Sequence, residues 1–591
     1  MRRNLWMLFL FGLMACGTTP SGVVDAVGSG DAGPDGLAGD VDRADAPADE
    51  GAEFDGGATD AVAEDSSPLD DADTTDSQAP DDTDSAADAD TICPGEPVAE
   101  DDRRITAGVI RGAVAGNSIA FLGIPFARPP VGELRWRPPQ PAECLDGVYQ
   151  ATEWTQPCAQ NNEEGEFLGS EDCLTLNVWQ PLPVTDSLSP VLVFIHGGGN
   201  IQGSAGITLA GGVRLYDSAD FASETGAVVV TIQYRLGVFG WLTRPRETWS
   251  DGKGGEGNLG LLDQIAALQW VQDNIQSFGG DPSRVVIFGQ SAGARNVCAL
   301  AVSPAAEGLF KGAIVQSGAC ALPPESEILG ETQRFLDTFA ACEGDLDCLR
   351  GLDAEELVRG YPLFVNLLGT SSFTQPWIDG SVVPAQPEDL LRAGAGVVDF
   401  MIVGANDDET SRYVPETLTE LQLRDTLNAS FGPTLADAIQ TQYPLASFGS
   451  PAEAYTQITS DARFVCSARR TAAAAHEGGT PVWHYHFEQQ INGRAGTFGS
   501  WHGLELLYLF DALTVSGYRP TASEIALGAL MRSHWVSLAA NGSPSTDDSW
   551  PAWSADDLNS MRYIAGESAV VSGVRAAQCD FWDSYYDSQS P

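Results

Sequence analysis

From about residue 107 onward, short apolar runs recur along the chain, each closed by a glycine-rich or acidic segment. The runs at 191–195, 227–233, 285–288, 312–316 and 400–403 are nearly continuous in apolar side chains. A run of that length without alternation suits a strand buried on both faces. Residues 171–179 and 482–487 alternate as strands do, 107–112 reads as an early strand and turn, and the apolar segment 121–127 follows it. Residues 261–275 space their apolar positions helically, and 292–302 also reads as a helix. Strands alternating with helices predict an α/β fold, with a mostly parallel central sheet and helices on both faces. The chain contains no internal repeat.

The pattern is organised around residues 285–294, Val-Val-Ile-Phe-Gly-Gln-Ser-Ala-Gly-Ala. An apolar strand run leads into Gly-x-Ser-x-Gly, and a helical run leads out. A serine on a sharp strand-to-helix turn carries its hydroxyl clear of the backbone, and flanking glycines admit so tight a turn. The helix that starts there turns its free N–H groups and positive dipole end toward any oxyanion formed at the serine. In a chain with 64 glycines the pentapeptide alone also arises by chance in loops. Its place between strand and helix marks Ser291 as a nucleophile.

An alcohol needs a base, and the base an orienting acid. Of the six histidines, His476, His484, His486, His502 and His534 follow Ser291, the side on which strand–turn–helix hydrolases carry their base. His484 and His486 share one face of a strand. No cysteine or carboxylate spacing nearby makes them metal ligands, so they read as structural. His534 lies in a helical run and reads as packing. His502 sits in a glycine-flanked loop before the apolar stretch 506–510.

Composition divides the chain. Residues 17–92 hold 22 acidic residues and one arginine, with almost no large apolar side chains. Such a segment cannot bury enough surface to offset its chain entropy and is expected to be a disordered, self-repelling tether. The whole chain carries a formal net charge of −51, which excludes nucleic acid as a partner through phosphate repulsion. Residues 1–16 form a targeting segment: Arg2 and Arg3, a short apolar core at 5–13, then Leu-Met-Ala-Cys-Gly ending at Gly17. The core is too short to span a bilayer. The closing residues resemble the lipobox of bacterial lipoproteins, which makes Cys16 the lipidation site; ordinary cleavage near Ala15 is the alternative. The expected organisation is a signal peptide at 1–16, a tether at 17–95 and one enzyme domain at 96–591.

From about 107 to 582 the chain resembles the type-B carboxylesterases and cholinesterases, a family of α/β-hydrolases. The resemblance rests on Gly-Ile-Pro-Phe-Ala at 123–127, Glu-Asp-Cys-Leu at 171–174, and Phe-Gly-Gly-Asp-Pro at 278–282 leading to Gly-Gln-Ser-Ala-Gly. It implies a Ser291–Glu409–His502 triad. The family's His-Gly-x-Glu segment matches residues 502–505. Its Gly-x-Asn-x-Asp-Glu-Gly segment matches 404–410, with Thr410 in place of the last glycine and Asp407 and Asp408 as rival acids. It also implies an oxyanion hole from the N–H groups of Gly198, Gly199 and Ala292. His196 would brace that loop, and Asn200, where the family usually has a bulky apolar residue, would make the acyl side more polar. The resemblance implies disulfides Cys158–Cys173, Cys342–Cys348 and Cys466–Cys579. Elimination then leaves Cys93–Cys144 and Cys298–Cys320, with other pairings of those four open.

The function expected is a serine hydrolase that cleaves carboxylic esters through an acyl-enzyme, with no cofactor and no metal. The alternatives are a catalytically silent adhesion or binding protein on the same fold, or a thioester, amide or polyester hydrolase. Between Cys158 and Cys173 the chain offers only Phe167 as an aromatic side chain and no basic cluster, so neutral short-chain or aryl esters are expected over choline esters. The partners implied are a small-molecule ester and, through lipidated Cys16, a membrane. The expected location is the outer membrane or cell surface of a bacterium, or otherwise secretion.

Overall fold

The computed structural model describes Cys93 and residues 99–589, apart from 163, 244–256, 364–373 and 492–496. The signal segment, Cys16 and the acidic stretch 17–92 lie outside the described residues. Cys93 already belongs to the folded body, ahead of the expected boundary at 96. It is buried, bonded to Cys144, and its N–H donates to the Thr106 carbonyl at 3.0 Å.

Among the described residues, eleven strands form one sheet. They are β1 (Ala113–Ala115), β2 (Ser118–Pro125), β3 (Thr175–Pro181), β4 (Ser189–Ile195), β5 (Val228–Ile232), β6 (Gly280–Gln290), β7 (Gly312–Gln316), β8 (Phe400–Asn406), β9 (Val482–Phe487), β10 (Asn559–Tyr563) and β11 (Ala569–Ser572). Their spatial order is β11-β10-β9-β8-β7-β6-β4-β5-β3-β2-β1. All pairings from β10 across to β5 are parallel, and the outer pairings on both sides are antiparallel.

Continuous apolar runs form the centre because both faces are covered. Val191, Val193, Ile195, Val285, Ile287, Met401 and Val403 enter one core, while Leu192, Phe194, Val286, Phe288, Ile314 and Ile402 enter the other. The first core is closed by α1 (Leu259–Asn274), α2 (Ala292–Leu300) and α3 (Cys466–Glu477). The second is closed by α4 (Leu504–Leu509) and α5 (Ala522–Asn541).

Two strands differ from their sequence reading. The stretch expected to alternate at 171–179 becomes a strand only at Thr175, because Cys173 is tied into the preceding loop by its disulfide to Cys158. From Thr175 to Gln180 every residue is buried, since β3 lies inside the sheet between β2 and β5. Strand β6 starts early, at Gly280, and its pairing with β4 is irregular before Val285.

The ten cysteines other than Cys16 form five disulfides: Cys93–Cys144, Cys158–Cys173, Cys298–Cys320, Cys342–Cys348 and Cys466–Cys579. The last joins α3 to the terminal helix α6 (Ala576–Gln589). Five disulfides fit an exported protein, because a reducing cytosol keeps thiols free. No helix among the described residues is long and apolar enough to cross a membrane.

Candidate active site

Parallel strands end on one edge of a sheet, and there the loops after β4, β6, β8 and β9 bring the predicted residues together. Ser291 sits between β6 and α2 at φ 60°, ψ −122°, a backbone conformation that costs a residue with a side chain about 1–3 kcal/mol. The surroundings hold it there. Its N–H donates to the Gln316 carbonyl at 2.9 Å, and its carbonyl accepts from the Arg295 N–H at 3.1 Å. Gly293 has no freedom to become larger, since a Cβ there would lie 2.1 Å from the Ile195 carbonyl oxygen.

The loop after β4 passes beside this turn. A Cβ on Gly197 would meet the Ser291 Cβ at 3.0 Å. Gly198 (φ 105°) turns the chain so that its carbonyl accepts from the N–H groups of Ile201 and Gln202, both at 3.1 Å. The Gly199 carbonyl accepts from Thr374 Oγ1 at 2.9 Å. The N–H groups of Gly198, Gly199 and Ala292 have no acceptor among the described residues. His196 is buried, stacks on Tyr234 with ring centroids 4.5 Å apart, and keeps Nδ1 2.9 Å from the Gly197 carbonyl. Burial lowers its pKa to about 4, so it stays neutral. Asn200 is fully buried. Its amide is paired with Asn296 at 3.0 and 3.1 Å and accepts from the Tyr234 hydroxyl at 3.1 Å, because a buried amide must find partners.

Glu409 is fully buried in the turn after β8. Its Oε1 accepts from the Asn406 N–H at 2.8 Å, and its Oε2 lies 2.5 Å from His502 Nδ1. A backbone bond, from the His502 N–H to the Glu409 carbonyl at 3.2 Å, fixes the two loops together. With Nδ1–H donated to Glu409, Nε2 is the acceptor nitrogen. It faces the turn that carries Ser291, 3.2 Å from the side-chain nitrogen of Gln290.

The rival acids point elsewhere. Asp407 Oδ1 accepts from His486 Nε2 at 3.0 Å and from Arg575 at 2.6 Å, and Asp408 Oδ2 accepts from the Ser500 N–H at 3.0 Å. Thr410 fits where a glycine was expected because its hydroxyl meets Thr459 Oγ1 at 2.6 Å and the Thr456 carbonyl at 3.2 Å. His484 bonds Ser560 Oγ, and His534 bonds the Tyr563 hydroxyl. Burial lowers these two to about 3 and about 4. No group of three or more His, Cys, Asp or Glu among the described residues has the arrangement of a metal site.

Several neighbours escaped the linear reading. Phe464 lies against the His502 ring, with centroids 5.0 Å apart. Asn406 Nδ2 donates to Glu505 Oε2 at 2.6 Å and to the Trp501 carbonyl at 2.8 Å. Burial, and then the charge of Glu409, push Glu505 up to about 7. Arg295 and Arg463, far apart in sequence, approach closely enough for Arg463 to repel the charge on Arg295. Gln290 and Glu505 lay inside motifs already singled out; nothing local marked Phe464 or the arginine pair.

A family model described as the carboxylesterase family matches residues 100–582. The chain is 36% identical to a fumonisin B1 esterase of Sphingopyxis macrogoltabida, over 76% of this chain and 84% of the relative. It is 33% identical to the para-nitrobenzyl esterase of Bacillus subtilis, over 76% and 91%. Among solved structures it resembles a carboxylesterase of Geobacillus stearothermophilus with a TM-score of 0.71 and 32% identity, covering 82% of this chain and all of that one.

Proposed function

This chain belongs to the carboxylesterase family, has the α/β-hydrolase fold and is a carboxylic ester hydrolase, and from that premise we propose that it works through a Ser291–Glu409–His502 triad and an acyl-enzyme. The observation that carries the proposal is the chain of contacts from buried Glu409 through His502 to the strained turn at Ser291.

In this mechanism His502 Nε2 takes the Ser291 proton as the hydroxyl oxygen attacks the ester carbonyl. Glu409 stays ionised, holds the tautomer and stabilises the imidazolium. The oxyanion accepts from the N–H groups of Gly198, Gly199 and Ala292, which no described acceptor competes for. Each such donor is worth about 3–4 kcal/mol at the transition state. His502 returns the proton to the leaving alcohol, then activates the water that frees the acyl group.

A serine-reactive phosphonate should label Ser291. Ser291→Ala and His502→Ala should each lose on the order of 10⁶ in kcat while staying folded. Strong residual turnover in Ser291→Ala rules the mechanism out.

We further infer that the protein is exported and anchored through lipidated Cys16 on its acidic N-terminal segment. Stable attachment needs more than one acyl chain on that cysteine. Expressed in a diderm bacterium, the parent should carry labelled palmitate and partition into detergent, and Cys16→Ala should do neither. Equal solubility of the two makes it a secreted enzyme.

A further inference from the structure

Arg295 lies four residues beyond Ser291, one turn along α2 and about 6 Å of helical rise from the nucleophile. Protein surrounds its guanidinium, and burial lowers its pKa to about 10. Even so, like Ser291, Ala292 and Gly199, it keeps part of its surface open. Its Nη1 donates to Gln375 Oε1, and Thr374, the neighbour of Gln375, donates to the Gly199 carbonyl. The guanidinium is thus tied to the segment that closes the glycine loop.

The arginines that are buried outright meet a carboxylate. Arg235 pairs with Asp263 at 2.7 Å, and Arg135 with Glu171 at 2.5 Å. Arg295 has no carboxylate partner among the described residues; its side-chain partner is the neutral amide of Gln375. The charge acting on it is a second cation, Arg463, which disfavours its protonated form further. Arg463 immediately precedes Phe464, the ring against His502. Arg295 thus follows the Ser291 turn on α2, and Arg463 adjoins in sequence the residue that packs on His502. The chain holds 82 acidic residues against 31 basic ones, yet none of the described carboxylates pairs with Arg295. Burying a charge without a counter-charge is costly, and a bound anion removes that cost.

We propose that Arg295, backed by Arg463, receives a carboxylate carried by the substrate, so that the preferred esters bear a free carboxylate a few bonds from the scissile carbonyl. Half-esters of dicarboxylic or polycarboxylic acids are the simplest such class. The planar guanidinium fork matches a carboxylate in a way that an ammonium does not. This proposal rests on the ester-hydrolase mechanism above and replaces the expectation of a preference for neutral esters, which saw no basic cluster because the two arginines meet only in the fold.

The test uses the full chain and three esters of matched size: an aryl butyrate, the same aryl hemiglutarate with a carboxylate on the acyl side, and the butyrate ester of hydroxyphenylacetic acid with a carboxylate on the alcohol side. In the parent, one of the anionic esters should exceed the neutral one in kcat/KM. Arg295→Gln should lower that anionic-to-neutral ratio roughly 10- to 100-fold, with Arg295→Lys in between. Free glutarate should inhibit parent turnover of the aryl butyrate competitively, a reading that needs no variant to fold. The proposal is overturned if neither anionic ester is preferred, if Arg295→Gln lowers both rates in equal proportion, or if glutarate does not inhibit. Failure of the parent on all three esters instead removes the ester-hydrolase mechanism, and this proposal with it.

Discussion

The side-chain nitrogen of Gln290 lies 3.2 Å from Nε2 of His502, so the residue before Ser291 touches the nitrogen that receives the proton in the proposed mechanism. Gln290 is fully buried, and its own carbonyl oxygen has no partner among the described residues. A neutral amide here orients the imidazole without adding charge. Gln290→Glu would set a carboxylate against the ring and favour its protonated, inactive form. The acidic limb of the pH profile of kcat/KM should move to higher pH by roughly one unit. Gln290→Ala should lower kcat and leave that limb in place. An unmoved limb in Gln290→Glu would show that the amide is not beside the working base.

Three acids in a row follow β8, and their contacts separate them. Glu409→Gln should lower kcat by roughly 10⁴, with KM little changed, because an amide no longer holds the imidazolium. Asp407→Asn breaks the contacts to His486 and Arg575, so it should lower thermal stability more than kcat. Steady-state kinetics and a melting curve on both variants decide this. Full activity in Glu409→Gln would return the role to Asp407 or Asp408.

The central strands were legible because burial on both faces leaves an unbroken apolar signature, as in residues 191–195 and 285–288. The strand at 482–487 was equally plain, although it carries two histidines. Spacing alone could not order the sheet, where β4 lies between β5 and β6. Nor could it separate Glu409 from Asp407, since only the turn after β8 aims one carboxylate at His502 and the other at His486. The resemblance supplied that choice. Phe464 and Arg463 come from a π-helical turn, Asp461–Val465, whose residues carry no local mark of their neighbours.

Glu505 links pH to stability. Its ordinary value is 4.5, and the fold raises it to about 7. Between those values the unfolded chain has released the proton and the folded chain still holds it, so stability falls as pH rises, then levels off above about 7. The fall attributable to this group is on the order of 3 kcal/mol. Glu505→Gln should show a smaller drop in melting temperature between pH 5 and pH 8 than the parent does. An identical drop in both would mean that Glu505 ionises in the folded protein much as it does in the unfolded chain.

The Cys466–Cys579 bond closes a loop of 113 residues, for which the chain-entropy model gives about 4.7 kcal/mol. Replacing both cysteines by serine should lower the melting temperature more than the same change at Cys342–Cys348, which spans 6 residues. Peptide mapping without reduction should recover the 466–579 pair. Free thiols at both positions in exported protein would refute it.

That same bond divides the proposed triad by connectivity. His502 lies within the covalent ring closed by Cys466 and Cys579, while Ser291 and Glu409 lie outside it. A protease that cuts the chain once inside the ring leaves both new ends attached, one through the backbone at Cys466 and the other through the sulfur bridge. A nicked molecule would run as a single band without reductant and as two with it. As long as the bridge stood, its base could not be lost from its nucleophile, which suits an enzyme working where proteases are abundant and chaperones are not.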